Sequence, residues 1–222
     1  MGAEGQELTS KNAIYTALRR AIIMGHRKPG ERFDVEAIAA EHNTSVTPVR
    51  DALQMLGHEG LVDIKPRSGY YVTHTTLKQL RDLLDLRRVL ELAAVELAAS
   101  RILEDQLAEL SKVHAGYTGD DDQAYDRYTD ENRRFHYLLA KASGNHELAE
   151  SVGRLHDRLA RFMVLRQAGK TMETTHRKVL DALREHDAQA ARRALLDDID
   201  GTYEAILDRV IEEDSESWPV GR

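Results

Sequence analysis

The sequence predicts a mainly α fold in two parts: three short helices and a hairpin near the N-terminus, then an all-α antiparallel helical bundle running almost to the end. Three observations carry this expectation. Apolar residues recur at three-to-four spacing over most of the chain. The β-rich residues fall in two short runs on either side of Lys65 to Gly69, a turn composition. From Leu77 onward the breaks near Glu104, Gly119, Gly144, Gly169 and His186-Asp187 leave about six helices, with loops of the length that bundles use.

Taken in order, Leu8 to about Met24 reads as the first helix, since Ile14, Leu18 and Ile22 share one face and Gly25 follows as a stop. Pro29-Gly30 then makes a turn. Asp34 is the expected N-cap of a second helix to His42, with Ile38 and Ala39 on its buried side. A third helix starts near Ser45, whose hydroxyl can cap it. Pro48 falls in the first turn, where a missing N–H does no harm, and Val49, Leu53 and Leu56 form the inward stripe. Gly57 and Gly60 are expected to close it. Leu61 to Ile64 and Tyr70 to Val72 read as a hairpin, which completes a winged helix-turn-helix. The expected domains are residues 8–74 and 77–213, linked through His74 to Thr76.

Composition bounds the function. With 222 residues, 41% of them hydrophobic, the chain can build two small cores. No run of eighteen apolar residues occurs and the N-terminus is polar and mixed in charge, so a cytoplasmic protein without a membrane partner is expected. Absence of cysteine excludes disulfides and thiolate sites, leaving nitrogen and oxygen as ligands for any metal. The net charge of −7 argues against nucleic acid at first sight, but residues 1–75 hold nine Lys/Arg and nine Asp/Glu, so the deficit lies beyond them. A neutral reader must depend on a few well-placed cations and on dimerisation.

The third helix can present such groups. Ser45, Thr47 and Arg50 face away from the Val49–Leu53–Leu56 stripe, Val46 stands beside them in the first turn, and Arg67, Ser68 and Gly69 lie at the tip of the wing. Pro29-Gly30, Ala39, Ser45-x-Thr47-Pro48-Val49-Arg50-Asp51-Ala52-Leu53, Leu56, Glu59-Gly60-Leu61-Val62 and Gly69-x-x-Val72 resemble the N-terminal domain of the GntR superfamily of regulators. The resemblance implies a homodimer on double-stranded DNA with an inverted-repeat operator. Two departures matter: the family usually has a basic residue where Val46 stands, and often an arginine where Glu36 stands. Arg50 and Arg67 therefore carry more of the interface, and Val46 is available to a thymine methyl.

In the bundle, polar residues interrupt apolar stripes. Asn132 and His136 lie one turn apart on the helix that buries Phe135 and Leu139. His176 shares a stripe with Val179 and Leu183, Asp198 one with Ala191 and Ala194, and Arg87 lies among Leu80, Leu83 and Leu90. Two imidazoles, a carboxylate and an amide oxygen suit a divalent transition metal such as Zn, Ni or Mn, or else a buried hydrogen-bonded cluster without metal. An inward Arg87 needs an anion, either Glu91 one turn on or a carboxylate of an effector. His156, near Leu155 and Leu159, is either an extra ligand or pocket residue or a flank histidine on a solvated edge, and the edge is the expectation.

Leu86-Arg87 with Glu91, Phe135-His136, Ser143-Gly144-Asn145, His176 followed by Leu180, and Asp187-x-x-x-Ala191 resemble the FCD ligand-binding domain of the FadR branch. Its usual metal set is an Asp four residues before the Phe-His histidine, that histidine, and two later ones. By this resemblance the ligands are Asn132, His136, His176 and Asp198, with the carboxylate moved to the last helix. The implied function is a transcriptional regulator tuned by a small organic acid. An enzyme is not expected, because Glu131 points away from His136 and no second carboxylate joins the cluster at helical spacing. A long apolar effector is disfavoured too, since it would leave these polar groups unpaired.

Overall fold

Helix α1 (Ala3–Ile23) packs its Ile14, Leu18 and Ile22 against Leu53 and Leu56 of α3 (Val46–His58). The short α2 (Val35–Glu41) closes the same core with Ile38 and Ala39. The computed structural model in which this is seen describes residues 3–113, 122–165 and 169–213. It forms two units, Met1–Thr75 and Thr76–Arg222. Leu53 and Leu56 are fully buried. Truncating either to Ala would cost about 2–5 kcal/mol, a large part of what a domain this small can spare.

Asp34 caps α2, its carboxylate accepting from the Ala37 N–H at 2.9 Å. Ser45 does occupy the N-cap of α3, but its hydroxyl makes no capping bond, and the side chain is left exposed. Nor does Gly57 end α3. It lies inside the helix, where a Cβ would come within 2.8 Å of Ile64 Cδ1, so its smallness serves the packing of the hairpin. The stop is Gly60, in the left-handed region at φ 75°.

Strands β1 (Val62–Lys65) and β2 (Gly69–Val72) are antiparallel, with Val62 opposite Val72 and Lys65 opposite Gly69. The segment before α2 extends this hairpin. Gly30 N donates to Val72 O, Val72 N to Glu31 O and Phe33 N to Tyr70 O, each at 2.9 Å, which fixes Arg32 opposite Tyr71.

The second unit holds α4 (Leu77–Arg101), α5 (Glu104–Lys112), α6 (Asp122–Ala142), α7 (His146–Leu165), α8 (Gly169–Arg184) and α9 (Ala188–Glu213). The expected break at Gly119 lies outside the described residues. Thr76 opens α4 with a capping box, its hydroxyl accepting from Gln79 N while its own N–H donates to Gln79 Oε1 at 2.9 Å. Helix α4 is central, touching α6, α7, α8 and α9. Two apolar clusters fill the bundle. One gathers Leu92, Val95, Phe135, Leu139, Val179 and Leu195; the other gathers Leu80, Leu84, Leu155, Leu159, Phe162 and Ile206. Along α4, α6 and α9 the residues between those clusters are polar and buried: Arg87 and Glu91, Asn132 and His136, Asp198 and Thr202. None of the described helices is long and apolar enough to cross a membrane.

Candidate DNA-reading face and buried polar site

The outward side of α3 and the hairpin enclose a concavity of about 750 Å³. Four cations line it: Arg32, Arg50, Lys65 and Arg67. Arg32, Arg50 and Arg67 are exposed and have no ion-pair partner among the described residues, so their charge is available to phosphate or base edges. Of the residues expected to read DNA, Ser45, Thr47, Arg50, Arg67 and Ser68 are exposed, whereas Val46 is half-buried against the core of its unit. Arg67 adopts a left-handed backbone, φ 62°, at the wing tip.

Gly69 has a role of its own. Its φ of 122° belongs to glycine, and a Cβ there would lie 3.3 Å from Arg32 Nε, so the bare backbone gives the guanidinium its seat. Arg32, Lys65 and Gln54 also line the concavity, and the sequence pattern does not single them out. Gln54 could have been found, being one turn beyond Arg50 on the same helical face. Arg32 and Lys65 lie outside any helix, and only the pairing of residues 30–33 with β2 brings Arg32 into place.

In the helical unit α4 supplies Arg87 and Glu91, α6 supplies Asn132 and His136, α7 His156, α8 His176 and α9 Asp198, all buried. Glu91 organises one half. Its Oε1 lies 2.6 Å from His156 Nε2 and its Oε2 lies 2.7 Å from His136 Nδ1. Both separations are too short for two ligands around one ion; the His156 contact is a hydrogen bond, and the His136 contact is a close pairing of ring nitrogen and carboxylate outside good hydrogen-bond alignment, so Glu91 draws both rings into one group. Asn132 belongs to it, its amide nitrogen 3.4 Å from His156 Nδ1. The His136 and His156 rings stack at 4.4 Å. His156 is therefore interior, contrary to the expectation of a solvated edge. Its charged neighbours Arg154 and Arg158 do face solvent and mask the buried face they share a turn with.

The other half is built on Asp198. His136 Nε2 and His176 Nε2 each lie 3.9 Å from an Asp198 oxygen, and one donor atom from each of the three residues falls within 4.8 Å of the others. Thr175 donates to Asp198 Oδ1 at 2.8 Å, and Phe135 stacks on His176 at 3.8 Å, which fixes that ring. Two imidazole nitrogens and a carboxylate suit a divalent transition ion. Glu91 lies 2.7 Å behind His136 Nδ1, the place an outer carboxylate takes when the opposite ring nitrogen faces a metal. Three of the four expected ligands thus meet, while the nitrogen of the fourth, Asn132, is engaged with His156. A second carboxylate, Glu91, does join the cluster, from a helix that spacing within α6 could not reveal.

Arg87 spans both halves. Its Nε donates to Glu91 Oε1 at 2.9 Å and its Nη2 to Asp198 Oδ2 at 3.1 Å, while Nη2 also lies 3.4 Å from His136 Nε2. Its Nη1 is buried and has no hydrogen-bond partner among the described residues. The anion that Arg87 requires is therefore internal, Glu91 together with Asp198, and one donor remains over. Burial pushes the Glu91 carboxyl up, but Arg87, His136 and His156 outweigh it and hold it well below the usual range. Burial likewise opposes ionisation of Asp198, yet the neighbouring His176, Arg87 and His136 bring it to about 2. Burial first, and then His136, lower His156 to about 4, which keeps that ring neutral near pH 7.

A winged helix-turn-helix with unpaired cations around its recognition helix, joined to a helical unit with a buried polar chamber, defines a transcriptional regulator rather than an enzyme. Residues 10–72 match the bacterial regulatory proteins of the gntR family and residues 82–201 match the FCD domain. The chain belongs to the GntR family of regulators, in the group that carries an FCD domain. It is 29% identical over 215 residues to the HTH-type transcriptional regulator YdhC of Bacillus subtilis, covering 92% of this chain and 93% of the relative. With the HTH-type transcriptional repressor RspR of Escherichia coli it shares 26% identity over 211 residues, 92% of this chain and 91% of the relative. Among solved structures, E. coli McbR/YncC superposes with a TM-score of 0.72 at 23% identity, covering 90% of this chain and 98% of that one. That likeness bears on the fold alone.

Proposed function

We propose that this regulator acts in the cytoplasm as a homodimer on an inverted-repeat operator, and that a small organic acid held beside a divalent ion in the helical unit sets its operator affinity. The carrying observation is the chamber itself: His136, His176 and Asp198 converge between two apolar clusters, with the unpartnered Arg87 Nη1 beside them. A buried guanidinium nitrogen left without an acceptor is costly, and a carboxylate is its best complement. Zn, Ni and Mn all suit the donors. Dimerisation is supported by the exposed Leu86 and Val89 on α4, 44% and 67% accessible, and by the single recognition helix per chain. Effector and operator are then linked, each altering the other's affinity by favouring one arrangement of the dimer.

Elemental analysis and native mass spectrometry of the purified protein test the chamber directly. The expected result is about one divalent ion per chain, lost in His136→Ala. A site filled at a hundred times its dissociation constant contributes about 2.7 kcal/mol, so chelation should lower the melting temperature of the wild type and not that of His136→Ala. A protein that carries no ion, and whose melting curve no divalent ion shifts, would reduce the chamber to a hydrogen-bonded network.

A further inference from the structure

We infer that Arg87 and a divalent cation are alternative occupants of one pair of atoms, His136 Nε2 and Asp198 Oδ2, so that metal entry turns the guanidinium away from Asp198 and toward an external anion. The inference rests on the reading that the helical unit takes a metal, and it concerns what this chain's arginine does when that happens.

Arginine and metal would compete for the same atoms. Arg87 Nη2 lies 3.1 Å from Asp198 Oδ2 and 3.4 Å from His136 Nε2, and those two acceptors are 3.9 Å apart. An ion bonded to both at about 2.1 Å would sit against the same guanidinium nitrogen. It would also need the lone pair of His136 Nε2 that faces Nη2, and two cations cannot share that space in a site closed to solvent. Burial leaves neither partner an easy alternative, since Arg87, His136 and Asp198 are each no more than 3% accessible.

The route of departure is also visible. Arg87 Nε is bonded to Glu91 Oε1 at 2.9 Å, separately from the Nη2 bond to Asp198, and this bond need not break. Glu91 is anchored in turn by His156 at 2.6 Å, so the arginine keeps a fixed pivot. Releasing Nη2 while Nη1 is already unpartnered produces a pair of adjacent donors at the tip of the side chain. That fork matches a carboxylate held in bidentate fashion. Asp198 is thus the internal anion that holds the Nη2 arm of the fork, and a metal that claimed Asp198 would free it. Metal comes first and the acid second. Leaving Asp198 as one half of the pair also explains how a chain can hold an arginine beside a metal set: a carboxylate in that place binds either cation.

Zinc alone is the probe. Wild type, Arg87→Met and a control, Arg88→Met, are titrated with Zn(II) against a chromophoric chelator. Arg88 pairs with the exposed Asp200 at 3.4 Å and shares no atom with the site. Arg87→Met is expected to bind zinc at least tenfold more tightly than wild type, and Arg88→Met within twofold of it. Because loss of Arg87 could unsettle the fold, the wild type supplies a second measurement. The guanidinium signals of Arg87, assigned by their loss in Arg87→Lys, are followed in ¹⁵N-labelled protein as one equivalent of zinc is added. Their displacement is expected. Equal or weaker zinc binding by a folded Arg87→Met, or an unmoved Arg87 signal in zinc-loaded wild type, overturns the inference and leaves the metal site standing. Failure of the wild type and of Arg87→Met alike to take up zinc overturns the metal reading and the inference together.

Discussion

Glu91 touches Arg87, His136 and His156 at once, and replacing it with the isosteric Gln would leave Asp198 as the one carboxylate on Arg87. Breaking a buried ion pair from one side costs about 3–5 kcal/mol, because the remaining charge stays desolvated. Urea denaturation of Glu91→Gln should show a loss of that size, and a loss below about 1 kcal/mol would mean that Arg87 does not depend on this carboxylate. The pH dependence has a definite sign. His156 is lowered to about 4 from an ordinary 6.5, so the folded state binds fewer protons than the unfolded chain between those values and stability falls as pH drops through them. A shift of that size corresponds to about 3 kcal/mol. Asp198, held at about 2, adds a further loss as pH falls from about 4 toward 2. A melting temperature flat between pH 6.5 and 4 would contradict the neutral, buried ring. Residues that interrupt an apolar stripe, Arg87, His136, His176 and Asp198, were legible in the sequence for that reason. His156 was not, because Arg154, Asp157 and Arg158 surround it and periodicity alone cannot tell a mixed face from a solvated one.

At the level of elements, the proposed DNA-reading face depends on how the wing, α3 and the strand-like segment before α2 are joined. Arg50 projects from the recognition helix, and Arg50→Ala should abolish preference for the operator over unrelated DNA, at a cost of about 1–3 kcal/mol for each base pair it reads. Unaltered footprints would remove α3 from the groove. Arg32 and Arg67 should behave differently, since they stand on the wing side of the concavity. Arg32→Ala and Arg67→Ala are each expected to weaken binding to all sequences alike and to lower the salt slope by about one unit. Gly69→Ala should mimic Arg32→Ala, through displacement of the guanidinium and a strained backbone. An unchanged slope in Arg32→Ala would take that residue out of the interface. The elements themselves were readable because capping, proline and glycine signals agree with the apolar stripes, as at Asp34 and Gly60. Gly57 misled for a physical reason: a glycine required by a neighbour's side chain looks, in sequence, like one required by a turn.

For the whole molecule, the bundle pattern that exposed the polar chamber also sets what any regulation must obey. The chamber draws side chains from α4, α6 and α9, so an occupant there can favour one packing of these helices over another. If zinc in the chamber changes operator affinity by some factor, operator DNA must change zinc affinity by the same factor, because the four equilibria close a cycle. The factor expected for such coupling is about 5–150, or roughly 1–3 kcal/mol. Two titrations measure it independently: operator binding by fluorescence anisotropy in apo and zinc-loaded protein, and zinc binding against a chelator with and without saturating operator. Agreement between the two factors, with both close to one in His136→Ala, is the expected outcome. Zinc that binds the chamber tightly yet leaves operator affinity unchanged would show that the ion stabilises both arrangements of the regulator equally. Tight binding without a difference between states shifts nothing. The switching would then lie with the acid alone, and the same pair of titrations repeated in its presence would have to carry the whole factor.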